Sequence, residues 1–531
     1  MEPRIGDKFL IDLWKETKAI FKLMVLTIPT QLLVALPCSL CIMFAGHVSV
    51  ETLNAVGMGF TYIYCTAYSS SIGLGITCEV LFSQANGSTK RSSLGLVIQR
   101  CLVISFLLFL LNGAMATHSY ILIKFLGKND QTVEEYYYFM LAAIPGFWGF
   151  SVMLVEMKYL QCQKIVKPCV VIGIIVNISH VMFGIPLTLW TGLGSTGTGL
   201  SFSLTYWLWA ILFFVYIKLS KVCVETWVPW STECFNCWWP ILKIAIPNTC
   251  MIALEFSLFQ AFLVLCAMLG SFYLSIYLIA ANVSEFIYNM FLGSCSAAII
   301  HIGNYLGNGD YELAKLSAQA SVFLVVCQSV VDFCTVLILC YVLPFLYSND
   351  NLIIRESRPL IILFALLHLL QGVGFIYGGL LKACSKQQFV MMAHIACIGI
   401  IGFPIAYCLM FLVSLNVYGA AIAIQISEVF LCIFTFAKGH FLNWKEEAYL
   451  AVEQAHKTTT IDRNNYEDSV NDPNSVKEST RLVTKPLNKN WKTVLQKGFF
   501  IVLFTAVFIG SIYISILAFC TGERPVLLGG S

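Results

Sequence analysis

The chain contains thirteen apolar segments, each about as long as a helix that crosses a lipid bilayer. About 20 residues are needed to cross roughly 30 Å of hydrocarbon. The segments lie near residues 24–46, 54–82, 98–123, 136–157, 168–190, 197–217, 244–269, 273–301, 316–346, 359–381, 388–414, 417–437 and 498–520. Because 58% of the residues are hydrophobic and only 11% are charged, the composition excludes a water-soluble protein. Long apolar segments of this kind predict an all-α membrane protein.

The first twelve segments form two similar halves. Four pairs of landmarks recur: Ile28-Pro29 with Ile246-Pro247, Asn86-Gly87 with Asn308-Gly309, Cys162 with Cys384, and Gly197 with Gly419. The last three pairs are separated by one and the same distance along the chain. Each half has six spans and therefore enters the membrane from the same side, which predicts two parallel-related six-helix bundles around a central cleft. A thirteenth transmembrane helix follows them.

These patterns divide the chain into four parts. We expect an N-terminal lobe over 1–222, a C-terminal lobe over 223–443, a disordered linker over 444–497, and the thirteenth span with a short tail over 498–531. The linker is rich in polar and charged residues and lacks hydrophobic periodicity, which is typical of a solvated segment.

The distribution of Lys and Arg predicts the orientation. With the N-terminus inside, seventeen of these residues fall on one side of the spans and four on the other. Because cytoplasmic loops carry the excess of positive charge, the N-terminus and the linker are predicted to be cytoplasmic. The odd thirteenth span then places the C-terminus outside the cell.

The seventh and eighth segments carry polar groups in the middle of apolar runs. These are Glu255 and Gln260 in one segment, and Asn282 and Glu285 in the next. A carboxylate at the bilayer centre costs about 2.5 to 3.5 kcal/mol on insertion scales, so it persists mostly where it faces a bundle interior or a wet cavity. We therefore predict a substrate and ion site here. For Glu255, the alternative is a protonated side chain that only bonds a neighbouring helix.

Three further polar residues lie inside predicted spans. Glu79, near the end of the second span, either lines the cavity or hydrogen-bonds a neighbouring helix. His368 and Gln371 stand three residues apart in the tenth span and so share one helix face. The histidine is either a packing group or a proton carrier that faces a polar cavity.

The sequence lacks HExxH, phosphate-loop and dinucleotide-binding fingerprints, and such motifs are what most directly indicate an enzyme. We therefore expect a protein that is not an enzyme, has no cofactor, metal or nucleic-acid partner, and works as a monomer. A channel, receptor or membrane-embedded enzyme is the alternative class.

Seven motifs occur in a specific order: SQANG, KYLQCQ, ETWVPWSTEC, AIPN with Glu255, HIGNYLGNGD, YGGLLKACSKQ and FLNWKEEA. Together they resemble the multidrug and toxin extrusion family in its animal branch, over about residues 20–450. The resemblance implies two six-helix lobes that open alternately to each side of the membrane. It also implies export of organic cations or xenobiotics in exchange for protons, with the plasma membrane as the expected location.

The resemblance also implies roles for particular residues. Glu255 matches an essential carboxylate of the seventh span, and His368 matches a histidine of the tenth. Glu79 falls where related proteins have Asp or Glu, and Tyr288 matches a tyrosine of the cavity.

Three positions depart from the family. Gln260, Asn282 and Gln371 stand where well-studied animal members carry glutamates. Amide side chains keep hydrogen-bonding capacity but neither titrate near neutral pH nor attract a cation as a carboxylate does. The alternative function is therefore a carrier of neutral or weakly basic solutes with altered or absent proton coupling. Glu285, which lies on the same helix face as Asn282, is a candidate to replace the missing acid.

Overall fold

The computed structural model describes residues 5–88, 93–125, 130–221, 223–346 and 351–459. Within these ranges the chain is built from thirteen main helical units, with three short helices between them at Tyr120–Phe125, Thr232–Phe235 and Leu343–Leu346. The first six are α1 (Ile5–Gly46), α2 (Val50–Ile63, Tyr64–Tyr68 and Ser69–Gly87), α3 (Ser93–His118), α4 (Asp130–Cys162), α5 (Lys167–Ile185 and Pro186–Trp190) and α6 (Gly194–Leu219). The next six are α7 (Trp239–Met268), α8 (Ser271–Gly307), α9 (Tyr311–Leu339), α10 (Asn351–Ala383), α11 (Gln387–His394, Ile395–Gly402, Phe403–Tyr407 and Cys408–Leu412) and α12 (Asn416–His440). The last is α13 (Trp444–Thr459).

Eleven of the described helices are long and apolar enough to cross a membrane. They correspond to every predicted span from the first to the twelfth except the second. That span is helical from Val50 to Gly87, but the hydroxyl and glycine residues between Ser69 and Gly75 make it less apolar. The all-α membrane class is thus confirmed. The predicted thirteenth span, at 498–520, lies outside the described residues.

Two hydrophobic cores organise the helices. One core runs from Val34 to Ala245 and belongs to α1–α7, and the other is formed mainly by α8–α12. Helix α1 contributes to both cores, because its early residues Ile20, Leu23 and Met24 pack into the second. The two cores follow the predicted halves of the chain, while the domain limits themselves stay a prediction.

The repeat extends to irregularities of the backbone. A π-helical turn ends α5 at Pro186–Trp190, and another ends α11 at Cys408–Leu412. The helices that follow, α6 and α12, begin at Gly194 and Asn416. Both pairs have the same separation along the chain as Cys162 and Cys384 in the sequence repeat. Because π-helical turns are rare, this coincidence independently supports the duplication.

One end of the bundle carries the tightest contacts between the halves. Helices α1 and α7 begin at this end, and α2 and α8 finish there; we call it the N-face. The Asn86 amide donates to the Asn304 side chain at 2.6 Å, and the Gln84 amide donates to the backbone oxygen of Ala383 at 3.0 Å. The backbones also approach closely, since a Cβ added to Gly87 would collide with the backbone of Asn304.

Helix α13 lies across the N-face. It packs against α2 and α3 of the first half and against α7, α8 and α9 of the second. Ala448 and Ala451 are buried in the second core, and Glu447 forms an ion pair with Lys386 at 2.7 Å. Residues 444–459 of the predicted linker are therefore helical, and the remainder of the linker lies outside the described residues.

Candidate transport site

Glu255 lies in α7, inside the second half of the molecule. Its side chain is only 7% exposed. The Tyr288 side chain of α8 lies close enough to interact with it electrostatically. This is the placement expected of a functional membrane acid, because a mid-membrane carboxylate needs a polar neighbour inside the bundle.

A small pocket adjoins Glu255. It is lined by Glu255, Phe259, Phe262, Ile398, Ile424, Ser427 and Glu428. Its volume is about 10 Å³, close to the space that a single water needs. The lining contains two carboxyl groups and no Lys or Arg. The pocket can therefore hold a proton, a water or a bare monatomic cation, but not an organic molecule.

Glu285 has a different setting. It lies in the middle of α8, and its side chain is exposed. It interacts electrostatically with Cys38 and Tyr64, which belong to the first half of the molecule. Glu285 therefore faces the opposite lobe and not the surrounding lipid. Asn282, one turn earlier, donates instead to the backbone oxygen of Leu278 in its own helix at 2.8 Å.

The region between Glu285 and the first half is aromatic. Tyr64 begins the π-helical turn of α2, and its ring centroid lies 5.6 Å from that of Phe256 in α7. The ring of Tyr68 is 5.2 Å from that of Tyr64. Aromatic faces attract organic cations, so a carboxylate beside such rings forms suitable surroundings for a cationic ligand.

His368 and Gln371 are placed together, as their spacing predicts. The His368 Nδ1 atom lies 2.8 Å from Gln371 Oε1, and Nε2 lies 3.1 Å from the Ser284 hydroxyl of α8. Both side chains are buried. With both ring nitrogens engaged, His368 links α10 to α8, the packing role that the sequence left open as one of its two alternatives.

Gln260 lies apart from these groups. Its Oε1 atom accepts a 3.5 Å hydrogen bond from Thr61 of α2. The contact joins the two halves on the side of the bundle that lies away from the N-face. Gln260, Asn282 and Gln371 therefore have three separate sets of partners, and the structure does not gather them around one ligand.

Glu79 is part of the N-face contacts. The Lys158 ammonium donates to its carboxylate at 3.0 Å and to the Ser296 hydroxyl at 2.8 Å. Ser296, in α8 of the other half, also donates to Glu79. Of the two alternatives for Glu79, the structure thus shows the hydrogen bond to a neighbouring helix.

The sequence did not single out Glu428 as a site residue. It is an acid in the middle of the twelfth span, and that position was the only available signal. Its neighbours in the pocket come from α7 and α11, so recognising its partner required the packing of three helices. Within the described residues, the pocket brings together Glu255 and Glu428, and Tyr288 lies within electrostatic reach of both.

A membrane protein built from two repeated helical lobes, with buried acids inside its membrane-spanning helices, has the architecture of a secondary transporter. The sequence model of the MatE family matches residues 27–185 and 247–408. The chain therefore belongs to the MatE family.

Curated relatives agree with this assignment. Multidrug and toxin extrusion protein 1 of Oryctolagus cuniculus is 28% identical over 461 residues, which cover 86% of this chain and 80% of the relative. The human protein of the same name is 28% identical, over 82% of this chain and 76% of its own length. Protein DETOXIFICATION 16 of Arabidopsis thaliana is 25% identical, over 79% of this chain and 87% of its length.

Solved structures support the fold. The eukaryotic MATE transporter AtDTX14 superposes with a TM-score of 0.80 at 21% identity, covering 84% of this chain and all of that one. A MATE protein in the bent conformation gives a TM-score of 0.71 at 14% identity, over 85% of this chain and 99% of its own. The predicted membership in the multidrug and toxin extrusion family is confirmed, and the chain is a multi-pass membrane transporter of small molecules.

Proposed function

We propose that this protein exports organic cations or xenobiotics in exchange for protons, by alternating access. The observation that carries the proposal is the buried Glu255, which shares a pocket with Glu428 and has no basic residue in the lining. A buried carboxyl without a basic partner must bind a proton or a cation to become neutral. A group with those two occupants can exchange one for the other.

The size of the pocket indicates that the proton and the substrate bind at different sites. In the described conformation a volume of about 10 Å³ leaves no room for an organic cation, so we place the substrate elsewhere. Glu285 is the acid that we assign to it, because it is exposed towards the other lobe beside Tyr64. A cation there would interact with both a carboxylate and an aromatic face, and each contact stabilises positive charge.

The contacts at the N-face support an alternating mechanism. Hydrogen bonds join Asn86 to Asn304 and Lys158 to Ser296 across the two halves, and Gln84 reaches Ala383. Access from this side requires these bonds to break as one lobe rocks against the other. The described conformation is thus the one closed at the N-face.

The location follows from the charge distribution. The excess of Lys and Arg favours a cytoplasmic N-terminus, which makes the N-face the cytoplasmic side and the C-terminus extracellular. We propose the plasma membrane as the site of action, with a monomer as the working unit, because each chain contains both lobes.

A second candidate function rests on the three amides. Gln260, Asn282 and Gln371 carry no charge, and the structure engages them in contacts with Thr61, Leu278 and His368. Fewer acids weaken the attraction for cations, which favours neutral or weakly basic solutes with altered coupling. This candidate predicts that transport does not depend on the ionisation of Glu255.

Uptake into proteoliposomes tests the two candidates. The purified protein is reconstituted, and the exchange of a labelled quaternary ammonium ion is measured with a pH gradient, with a sodium gradient and with neither. Glu255→Gln keeps the volume and removes the charge, so we expect at least a tenfold loss of exchange driven by the pH gradient. Glu312→Gln, at an exposed position of α9, is the matched control. Normal exchange by Glu255→Gln would refute the antiport proposal and favour the second candidate.

A further inference from the structure

Glu428 is a buried acid for which the mechanism above gives no role. It lies in the middle of α12, and its side chain is only 7% exposed. Within the described residues, no hydrogen bond or ion pair reaches its carboxyl group. The adjacent Ser427 hydroxyl donates to the Ala423 backbone oxygen at 2.8 Å, so it does not satisfy Glu428. A carboxyl in the middle of an apolar helix, with no hydrogen-bond partner among the described residues, requires an explanation.

The carboxyl group of Glu428 faces the same pocket as Glu255. Helix α12 supplies Glu428, helix α7 supplies Glu255, and α11 closes the space with Ile398. The two acids interact electrostatically. Because the pocket has a volume of about 10 Å³, no hydrated ion fits between them.

Other titratable groups surround the pair from each neighbouring helix. Tyr288 of α8 interacts electrostatically with Glu255, Glu428 and Glu285. His394 of α11 interacts with Glu255, while Cys397 of α11 and Cys432 of α12 interact with Glu428. Lys382 of α10 interacts electrostatically with His394 and Glu79. Within the described residues, none of these groups forms an ion pair with either carboxyl.

Two carboxylates that line one small pocket are unfavourable when both are ionised and no cation lies nearby. Like charges at short range disfavour the second ionisation strongly, and low polarity strengthens this effect. If the two carboxyls share one proton, the pair carries a single negative charge. The hydroxyl of Tyr288 can stabilise the single remaining negative charge.

We propose that Glu255 and Glu428 hold one proton between them and that this pair is the proton-coupling unit of the transporter. The inference rests on the proposed antiport and deepens it by adding a second proton-binding residue. When a monovalent organic cation binds beside Glu285, its charge compensates the second negative charge of the pair, because Glu285, Glu255 and Glu428 all interact electrostatically with Tyr288. The shared proton then leaves as H⁺. When the cation leaves, the pair takes up one proton again. One positive charge replaces another, so the exchange is electrically neutral.

Proton release upon substrate binding tests the pair without any transport. The full-length protein is held in detergent and weak buffer near neutral pH, and tetraethylammonium is added as the probe. This ion has no titratable proton, so protons that appear come from the protein. Protons released per bound cation are counted with a pH indicator, and cation binding is measured in parallel.

We expect about one proton per bound cation in the wild type. Glu428→Gln removes the second member of the pair, and the release per bound cation should fall at least threefold. Glu428→Asp keeps the charge and should restore most of the release. Asp332→Asn is the matched control, because Asp332 is also a buried acid of the second half but lies in α9 outside the pocket.

The outcomes are distinguishable. If Glu428→Gln releases as many protons per bound cation as the wild type while Glu255→Gln does not, the pair is refuted and the antiport proposal stands. An equal loss in Asp332→Asn refutes the pair as well, since the effect is then not specific to the pocket. Binding without proton release in the wild type would overturn the antiport proposal itself.

Discussion

Two acids at the N-face, Glu79 and Glu16, have surroundings opposite to those of the two acids in the pocket of the second half. At the N-face, Glu79 accepts from Lys158 and from Ser296. Glu16 of α1 is bound by His301 at 2.9 Å and Ser317 at 2.6 Å, both in the other half. In the pocket, by contrast, two carboxyls face each other without a basic residue in the lining.

This difference indicates that the two groups of acids have different roles. A carboxylate that is neutralised by fixed protein groups has no need of a ligand, and its bonds tie helices together. A carboxyl without such partners requires a mobile ion. Acidic residues therefore tie the two halves together at the N-face, whereas in the pocket we propose that they exchange ions.

The largest effect on stability should come from breaking the pair at the N-face. Lys158→Met leaves the buried Glu79 carboxylate without its ammonium partner, and removing one member of a buried pair costs about 3 to 5 kcal/mol. Thermal unfolding in detergent, followed by circular dichroism, measures the loss. Lys15→Met is the control, since Lys15 pairs with Asp12 at the surface, where a pair contributes about 0 to 1 kcal/mol.

A second variant of the same pair sharpens this test. Adding Glu79→Gln to Lys158→Met removes the unpaired carboxylate charge and should restore part of the lost stability. If the double variant is no more stable than Lys158→Met, the cost comes from lost packing and not from an unpaired carboxylate.

Gly87→Ala should have an intermediate effect, because the new methyl group would collide with the Asn304 backbone. Forcing extra volume into a packed contact typically costs about 1 to 3 kcal/mol. We expect a lower unfolding temperature and faster amide hydrogen exchange at the ends of α2 and α8. Gly57→Ala, also in α2, has nothing within 4 Å of its added Cβ and should leave both quantities unchanged. Unaltered exchange in Gly87→Ala would show that this contact does not hold the N-face closed.

The smallest effect on stability should come from the pocket. Replacing both Glu255 and Glu428 by Gln removes two poorly neutralised carboxyls, so the free energy of unfolding should change by less than about 1 kcal/mol, with a gain as the expected sign. Exchange against a pH gradient should be lost in the same protein. Thermal unfolding of this double variant is measured in parallel with that of Lys158→Met. A large destabilisation would mean that the pocket acids stabilise the fold, as Glu79 does.

The sequence predicted the features that depend on local pattern. Apolar length indicated the spans, and the evenly separated landmarks, such as Cys162 with Cys384, indicated the repeat. The polar residue Glu255 inside a span pointed to the candidate site. The inference about spans holds because the insertion of a segment depends mainly on its own length and composition. The assignment of the site to Glu255 stays a prediction.

Other features depend on how each helix is rotated about its axis. The sequence gives no means to tell that Glu428 faces Glu255, or that Lys158 reaches Glu79 across 79 positions of the chain. Gln260, which lies five residues after Glu255, bonds to Thr61 in the other half. Such partners are set by tertiary packing, which cannot be read from the pattern of a single sequence.

The matching π-helical turns of α5 and α11 also bear on the history of the molecule. A turn of this kind accommodates one more residue than an α-helical turn, so it is equivalent to a one-residue insertion into a regular helix. The turns at Pro186–Trp190 and Cys408–Leu412 occupy equivalent positions of the two halves, although their residues differ, PLTLW in one and CLMFL in the other. The simplest account is that the inserted residue was already present in a six-helix ancestor before its gene was duplicated and fused. The irregular backbone has then been kept in both halves while the side chains of the turn have diverged.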